Sequence, residues 1–133
     1  MKLIDGKGAV LGRLASYVAK EALKGEDVNV LNCEKIIITG NKETIKKEFD
    51  VKRSRVGSSQ KGPKHPATNE KMVKRAIRGM LPNHRTGRGK IALSKIKCYV
   101  GIPKEFEGKE FSEFEKKNPI KFAEVKEFTK KKW

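Results

Sequence analysis

The chain has 133 residues and a mass of 15.0 kDa, which is the size of one domain with its own hydrophobic core. Its 32 lysine and arginine residues outnumber its 16 aspartate and glutamate residues, so the net charge is +16 and the pI is about 10.0. Charge of this sign and size is typical of a nucleic-acid binder. No run approaches the ~18 apolar residues of a membrane span, so a membrane protein is excluded.

The positive charge is concentrated in the middle of the chain. Residues 41–95 hold sixteen basic and four acidic side chains, a net charge of +12. Residues 1–40 hold six and five, and residues 96–133 hold ten and seven. A surface that only keeps a protein soluble mixes its signs. We therefore expect the first and last thirds to form a scaffold and the middle third to form a binding surface.

The first forty residues predict a β-α-β unit. Residues 2–5 are a short apolar stretch, and residues 11–22 carry apolar side chains at the spacing of an amphipathic helix that ends at Gly25. Residues 28–32 and 35–39 are rich in β-branched side chains and predict strands. Two strands joined through a helix favour parallel pairing with a right-handed crossover.

Three further helical segments and two basic loops follow. Asn41 is the expected N-cap of a second helix that buries Ile45 and Phe49. Residues 52–68 predict a long basic loop, and loops of that length inside a compact domain are usually functional. The predicted buried stripe of the third helix consists of Val73, Ala76, Ile77, Met80 and Leu81.

The rest of the chain combines a second basic loop with a charged tail. Residues 83–90 predict that loop, before a short helical turn and a strand at residues 97–100. The residues after 104 carry spaced phenylalanines amid charge, and predict one or two surface helices broken at Asn118 and Pro119.

A glycine turn between the first strand and helix raises the question of a nucleotide site. The dinucleotide fingerprint needs its third glycine where Leu11 stands, and here that glycine is Gly12. We therefore favour a structural turn. A phosphate site beside Arg13, and with it a small nucleotide-binding α/β enzyme, remains the alternative.

No catalytic or metal-binding constellation stands out. His65 and His84 have no partner at metal-ligand spacing, and no serine lies in a nucleophile motif. Cys33 and Cys98 are far apart in sequence and fit small buried hydrophobes of a reduced, cytosolic protein. We expect no enzyme, no cofactor and no metal.

The basic residues of the loops and helix faces are the predicted nucleic-acid site. Arginine forks suit bidentate contact with phosphate, and residues 50–98 contain no Phe, Tyr or Trp for base stacking. Recognition should therefore read the phosphate, sugar and shape of folded, double-helical nucleic acid, with a DNA-packing protein as a further alternative. The predicted binding residues are Arg13, Lys52, Arg53, Arg55, Lys61, Lys64, His65, Lys74, Arg75, Arg78, His84, Arg85, Arg88 and Lys90.

Several sequence strings resemble the ribosomal protein thirteen family of the large subunit, in its archaeal branch. They are Ile-Arg-Gly-Met-Leu-Pro at residues 77–82, Gly-Arg-Gly at residues 87–89 and Lys-Cys-Tyr-Val-Gly-Ile-Pro at residues 97–103. The Gly-Arg-Leu-Ala-Ser string at residues 12–16 is similar too. The resemblance covers about residues 2–103.

The resemblance implies a fold, a partner and a location. The fold is a three-layer α/β/α arrangement around a four-stranded parallel sheet, with an RNA-binding domain over residues 1–103. Residues 104–133 would be a charged helical extension packed on the same domain. The implied partners are large-subunit ribosomal RNA, contacted by the region from Arg78 to Lys90, and neighbouring ribosomal proteins. The protein would be a monomer within the cytoplasmic ribosome and would support early subunit assembly.

Overall fold

The computed structural model describes residues 1–55, 65–116 and 118–127. Within these residues the chain forms four α-helices: α1 (Leu11–Leu23), α2 (Lys42–Ser54), α3 (Asn69–Gly79) and α4 (Gly87–Ser94). It also forms six strands: β1 (Lys2–Asp5), β2 (Val28–Leu31), β3 (Ile37–Thr39), β4 (Ile96–Cys98), β5 (Ser112–Glu113) and β6 (Phe122–Glu124). No helix in these ranges is both long and apolar enough to cross a membrane.

Four of the strands form one parallel sheet in the order β4-β2-β1-β5. Ile4 lies opposite Val30, so the two strands that flank α1 pair in parallel as predicted. This sheet and the helices confirm the α/β fold with a four-stranded parallel sheet.

One face of the sheet packs against helices to form the main core. Ile4, Val28 and Val30 from this face join Leu14 and Val18 of α1 in a single buried cluster. The same cluster contains residues of α3 and α4. Because α1 contacts both of these helices, the core fixes the position of the middle third of the chain on the scaffold.

A smaller cluster covers the opposite face. Leu3 and Leu31 point to this side and pack with Phe106, from the 3-10 turn Lys104–Phe106. Tyr99 and Phe111 border the cluster, and the rings of Tyr99 and Phe106 lie edge to face with centroids 5.6 Å apart. The segment after β4 therefore supplies the layer on this side.

The C-terminal segment differs from the predicted surface helices. Its described residues form 3-10 turns and the short strands β5 and β6, and contain no α-helix. β5 pairs with the edge of β1, and β6 pairs antiparallel with β3. The edge strands have unpaired backbone N–H and C=O groups, which can form hydrogen bonds with the C-terminal segment. A short helix interrupted at Pro119 would lack such partners, so pairing with the strand edges is favoured. Residues 128–133 lie outside the described residues.

The second and third helices follow their predicted patterns in part. Helix α2 extends to Ser54, so residues 52–54 of the predicted first basic loop are helical. Phe49 of α2 and Ala76 of α3 are half-buried. The Asn41 side chain caps α2, accepting a hydrogen bond from the Glu43 amide at 3.0 Å, and Ile45 is buried. In α3, Val73 and Ile77 are buried as predicted. The prediction for Met80 is wrong, since its side chain is 45% exposed. The helix ends at Gly79, so Met80 no longer follows the helical stripe.

The second basic loop is shorter than predicted. Residues 87–90 form the first turn of α4, so only residues 83–86 remain as a turn. Gly87 and Gly89 lower the helix propensity of this segment, so its sequence does not indicate a helix. The helix forms because it packs against α1.

Candidate nucleic-acid interface

Helix α3 carries a cationic stripe opposite its buried stripe. Lys71, Lys74, Arg75 and Arg78 follow the i, i+3, i+4, i+7 spacing of one helix face. The opposite face is buried in the core through Met72, Val73 and Ile77. Burial of one face therefore forces the four cations onto the outer surface together.

These four cations line an open groove of about 290 Å³. Pro66, which precedes α3, and Leu93 of α4 complete its wall, and we call this surface the α3 groove. Lys74, Arg75 and Arg78 are only partly exposed, as is common for long basic side chains whose aliphatic portions pack on a protein surface. A groove with cationic and apolar walls can hold a sugar-phosphate strand, with phosphates on the cations and sugars on Pro66 and Leu93.

The C-terminal end of α2 brings further cations to the start of α3. Arg53 donates through Nη2 to the carbonyl oxygen of Pro66 at 3.4 Å. Arg53 and Lys52 both lie against the ring of Phe49, at 5.8 Å and 5.7 Å from its centroid. The end of α2 therefore lies beside the segment that leads into α3 and lines the α3 groove.

The pKa of His65 is sensitive to the positive potential between the end of α2 and the start of α3. Its pKa is lowered first by burial and then by the positive charges of Arg75, Lys52, Arg53 and Arg55. Cations from α2 and α3 thus act on one imidazole. We call Lys52, Arg53, Arg55 and His65 the α2 cluster. Arg75 belongs to the α3 groove and also faces His65, so the two surfaces are continuous.

The turn at residues 83–86 and the first turn of α4 present the remaining predicted cations. Asn83 holds the first of these turns closed, accepting from the Arg85 amide at 3.2 Å and donating to Thr86 Oγ1 at 2.9 Å. Arg85, Arg88 and Lys90 are exposed, and His84 is half-buried.

Gly89 sets the position of this turn against α4. A Cβ atom at residue 89 would lie 1.8 Å from the carbonyl oxygen of Pro82, so the two backbones are in direct contact. Only glycine permits this approach, and it fixes Arg85 relative to α4, which carries Arg88 and supplies Leu93 to the α3 groove.

The cationic surface is the name we give to three parts together. They are the α3 groove, the α2 cluster, and the basic residues of this turn and of the first turn of α4 (His84, Arg85, Arg88 and Lys90).

Arg13 lies in a different environment from the other predicted residues. Its Nη1 is 3.5 Å from Glu115 Oε2, at the first turn of α1 beside the C-terminal segment. It lines a separate depression with Thr39 and Lys116. The structure therefore does not bring Arg13 into the α3 groove. Lys61 and Lys64 lie outside the described residues.

The cations of the groove differ from those of the scaffold in their pairing. Within the ranges described, Lys74, Arg78, Arg85 and Arg88 form no ion pair with an acidic side chain. The ion pairs of these ranges join cations of the first and last thirds and α2 to nearby glutamates, as with Lys42 and Glu127 at 2.9 Å. The charges of Lys74 and Arg78 in the groove, and of Arg85 and Arg88 near it, are therefore available to an external anion.

The glycine turn before α1 is a structural element. The amides of Gly6, Gly8 and Ala9 donate to carbonyl oxygens of the protein at 2.9, 3.2 and 3.1 Å, and the Lys7 amide donates to Asp5 at 3.0 Å. A phosphate-binding turn needs these amides free. The structure thus supports the structural turn over the nucleotide site, and no group of three metal-ligating side chains occurs in the described residues.

The sequence interpretation missed Lys71, Pro66 and Leu93 as groove residues. For Lys71 a signal existed, because its spacing from Lys74, Arg75 and Arg78 places it on the same helix face. The apolar residues join the groove only through the packing of α4 beside α3, which no local pattern reveals.

The fold and the cationic surface define a basic α/β protein suited to a large polyanion. The family model of ribosomal protein L13 matches residues 1–105. The chain therefore belongs to the ribosomal protein L13 family, which confirms the resemblance seen in the sequence. Since this is a family of structural ribosomal proteins, the prediction of a non-enzymatic protein is also confirmed.

Individual relatives are similar over most of their length. "Large ribosomal subunit protein uL13" of Methanococcoides burtonii is 45% identical over 111 residues, which cover 84% of this chain and 78% of the relative. The protein of the same name from Methanosphaera stadtmanae is 44% identical over 120 residues, covering 88% and 84%. That of Methanopyrus kandleri is 49% identical over 102 residues, covering 77% and 63%.

Proposed function

We propose that this chain binds the RNA of the large ribosomal subunit through the cationic surface. Its family supports the broader statement that it is a structural protein of the large subunit, working in the cytoplasmic ribosome. The observation that carries the finer proposal is the α3 groove, where four cations share one helix face. Within the described ranges, Lys74 and Arg78 of this face form no ion pair with an acidic side chain. Recognition in this proposal is by phosphate contact and RNA shape.

The cations predict a steep dependence of binding on salt. Each neutralised phosphate releases condensed counterions, which contributes roughly −0.9 to the slope of log K against log salt. Binding of a large-subunit ribosomal RNA fragment, measured by filter retention at several salt concentrations, tests this directly.

A pair of charge reversals in the groove gives the sharpest variant. Lys74→Glu with Arg78→Glu should weaken RNA binding at least about 100-fold and flatten the salt slope by about two, since each contact to a charged group contributes ~1.5–3 kcal/mol. The matched control, Lys20→Glu with Lys121→Glu, changes the net charge equally on exposed residues outside the cationic surface. Equal losses of RNA affinity in both variants would contradict the proposal, because they would show that binding depends on net charge and not on the cationic surface.

The proposal extends to early assembly and to neighbouring proteins in the subunit. A monomer that holds an RNA fold through phosphate contacts can stabilise that fold before other proteins arrive. In stepwise reconstitution, the chain should therefore co-sediment with large-subunit RNA in the absence of late-binding proteins. Association only with completed subunits would contradict an early role.

Competition separates RNA from DNA. Structured ribosomal RNA should displace the chain from duplex DNA of equal length, because the proposal assigns part of the recognition to RNA shape. Equal competition by the duplex would favour the DNA-packing alternative.

A further inference from the structure

The two cysteines, which are 65 positions apart in sequence, lie next to each other in the fold. Cys33 begins the 3-10 turn Cys33–Lys35 after β2, and Cys98 ends β4. The neighbouring strands β2 and β4 place Val30 opposite Cys98. The Cys33 thiol donates to the carbonyl oxygen of Val30 at 3.6 Å, and its amide donates to the Tyr99 carbonyl at 3.1 Å. Cys33 belongs to the main core cluster, and Cys98 packs against that cluster.

Hydrogen bonds on both sides of the pair fix the two segments against each other. The Tyr99 amide donates to the Val30 carbonyl at 2.9 Å, and the Asn32 amide donates to the Gly101 carbonyl at 3.1 Å. The Gly101 amide donates to the Glu34 carboxylate at 3.0 Å. These hydrogen bonds therefore hold the segments that carry the two thiols side by side.

The two thiols differ in their access to solvent. Cys33 is fully buried, whereas Cys98 is partly exposed. A hydrogen bond with Cys98, followed by burial, raises the pKa of the Cys33 thiol well above its ordinary value. Cys33 thus keeps its proton at neutral pH, and Cys98 is the thiol that a dissolved oxidant reaches first.

We propose that Cys33 and Cys98 form an oxidation site, at which a peroxide converts the two thiols into an intrachain disulfide. The Cys98 thiolate attacks one peroxide oxygen, so that an S–O bond forms, the O–O bond breaks and the leaving oxygen departs as water. The sulfur of Cys33 then displaces hydroxide from the Cys98 sulfenic acid. The S–S bond forms, and the hydroxide leaves as water with the Cys33 proton. Two thiols and one peroxide give one disulfide and two waters.

The position of this bond ties the cationic surface to the scaffold. The loop that it closes contains α2, α3 and α4, and so every residue of the cationic surface. Closing a loop of that length lowers the entropy of the unfolded chain, so the oxidised protein should melt on the order of 10 °C higher than the reduced one. Because cytosolic proteins keep their thiols reduced, the bond would form under oxidising conditions and reverse afterwards.

Thiol mapping of the full chain tests the chemistry. The reduced protein is treated with hydrogen peroxide, free thiols are alkylated, and the intact mass and non-reduced peptides are measured. The expected product is a monomer that has lost two hydrogens and contains a peptide joining Cys33 to Cys98. In Cys33→Ala, dimedone should trap sulfenic acid at Cys98, and in Cys98→Ala, Cys33 should remain alkylatable only after unfolding. Peroxide-treated wild-type protein in which Cys33 stays reduced, or which forms only intermolecular dimers, would overturn the proposal.

Calorimetry tests the stabilising effect. The melting temperature of the oxidised wild type should exceed that of the reduced protein and return after dithiothreitol, with no such change in Cys33→Ala. An intrachain disulfide that leaves the melting temperature unchanged or lowers it would contradict the role as a staple. Neither measurement involves RNA, so both outcomes are independent of the proposed function.

Discussion

Lysine has two different environments in this protein. In the scaffold, Lys2 and Lys24 both bind the carboxylate of Glu21, whose side chain is only 6% exposed. On α3, Lys71 and Lys74 face an open groove beside two arginines. The same residue type therefore stabilises the fold in one region and leaves a positive surface in the other.

The comparison shows that charge pairing, more than charge content, separates scaffold from binding surface. Residues 96–133 contain ten lysines, as many as the longer middle segment 41–95. Glutamates of the last third lie close enough to pair with them, as between Lys126 and Glu124 at 2.7 Å. In α3 a single acidic residue, Glu70, precedes the cationic stripe. The excess positive charge of the chain, +16 in total, is therefore concentrated on the cationic surface.

Truncation of a core side chain should produce the largest effect. It should lower the stability of the scaffold and leave RNA affinity unchanged. Leu14 is fully buried in the main cluster, so Leu14→Ala should lower the free energy of unfolding by about 2–5 kcal/mol. The exposed Ile91 provides the control, and Ile91→Ala should change stability by less than about 0.5 kcal/mol. Urea denaturation measures both. RNA affinity of folded Leu14→Ala should match the wild type, and a large loss would show that the two regions are not separable.

A glycine substitution should affect both regions at once. In Gly89→Ala the new methyl group would overlap the Pro82 carbonyl, so the turn must move away from α4 at a cost of about 1–3 kcal/mol. Displacement of Arg85 and Arg88 should also weaken RNA binding. Gly79→Ala is the matched control, because a Cβ there meets no atom within 4 Å. If Gly89→Ala melts and binds like Gly79→Ala, the backbone contact does not position the turn.

His65 should make RNA binding depend on pH. The free protein holds the pKa of His65 below its ordinary value through burial and the cations around it. A bound phosphate offsets those charges and raises the pKa, so binding takes up a proton and affinity rises as the pH falls toward 6. The gain should be small beside the effect of the groove variants, because it arises from the protonation of one side chain.

Calorimetric titration in two buffers of different ionisation enthalpy measures that proton uptake. The wild type should take up protons on binding, and His65→Gln should take up fewer. Equal uptake by the two proteins would place His65 away from the bound phosphate.

The buried carboxylate of the scaffold should give the smallest effect. Hydrogen bonds from Lys2 and then Lys24 lower the pKa of Glu21. This contribution to stability is present above the unfolded pKa of about 4.5 and is lost as the pH falls through the lower folded value. Glu21→Gln should lower the melting temperature by a few degrees at pH 7 and leave RNA affinity unchanged. Melting curves between pH 3 and pH 7 should then show a weaker acid dependence than the wild type.

The elements predicted correctly from the sequence are those with a clear apolar periodicity or a local capping residue. Six apolar positions at helical spacing identify α1, and the Asn41 cap and the buried face of α3 follow local rules. The cationic stripe was predicted from the same periodicity, apart from Lys71.

The features that were missed depend on contacts between distant segments. β5 consists of two exposed residues, Ser112 and Glu113, which have no strand pattern and are ordered by the edge of β1. β3 has a clear strand pattern, but its antiparallel partner β6 cannot be deduced from it. The proximity of the two cysteines likewise arises only from the pairing of β2 with β4.

Lysine footprinting on the RNA-bound chain tests the central claim most directly. The protein is acetylated alone and in complex with a large-subunit ribosomal RNA fragment, and the modification of each lysine is measured by mass spectrometry. Binding through the cationic surface predicts protection of Lys71, Lys74 and Lys90, with Lys20, Lys109 and Lys121 as reactive as before. Protection of the second group, with the first still reactive, would contradict the account.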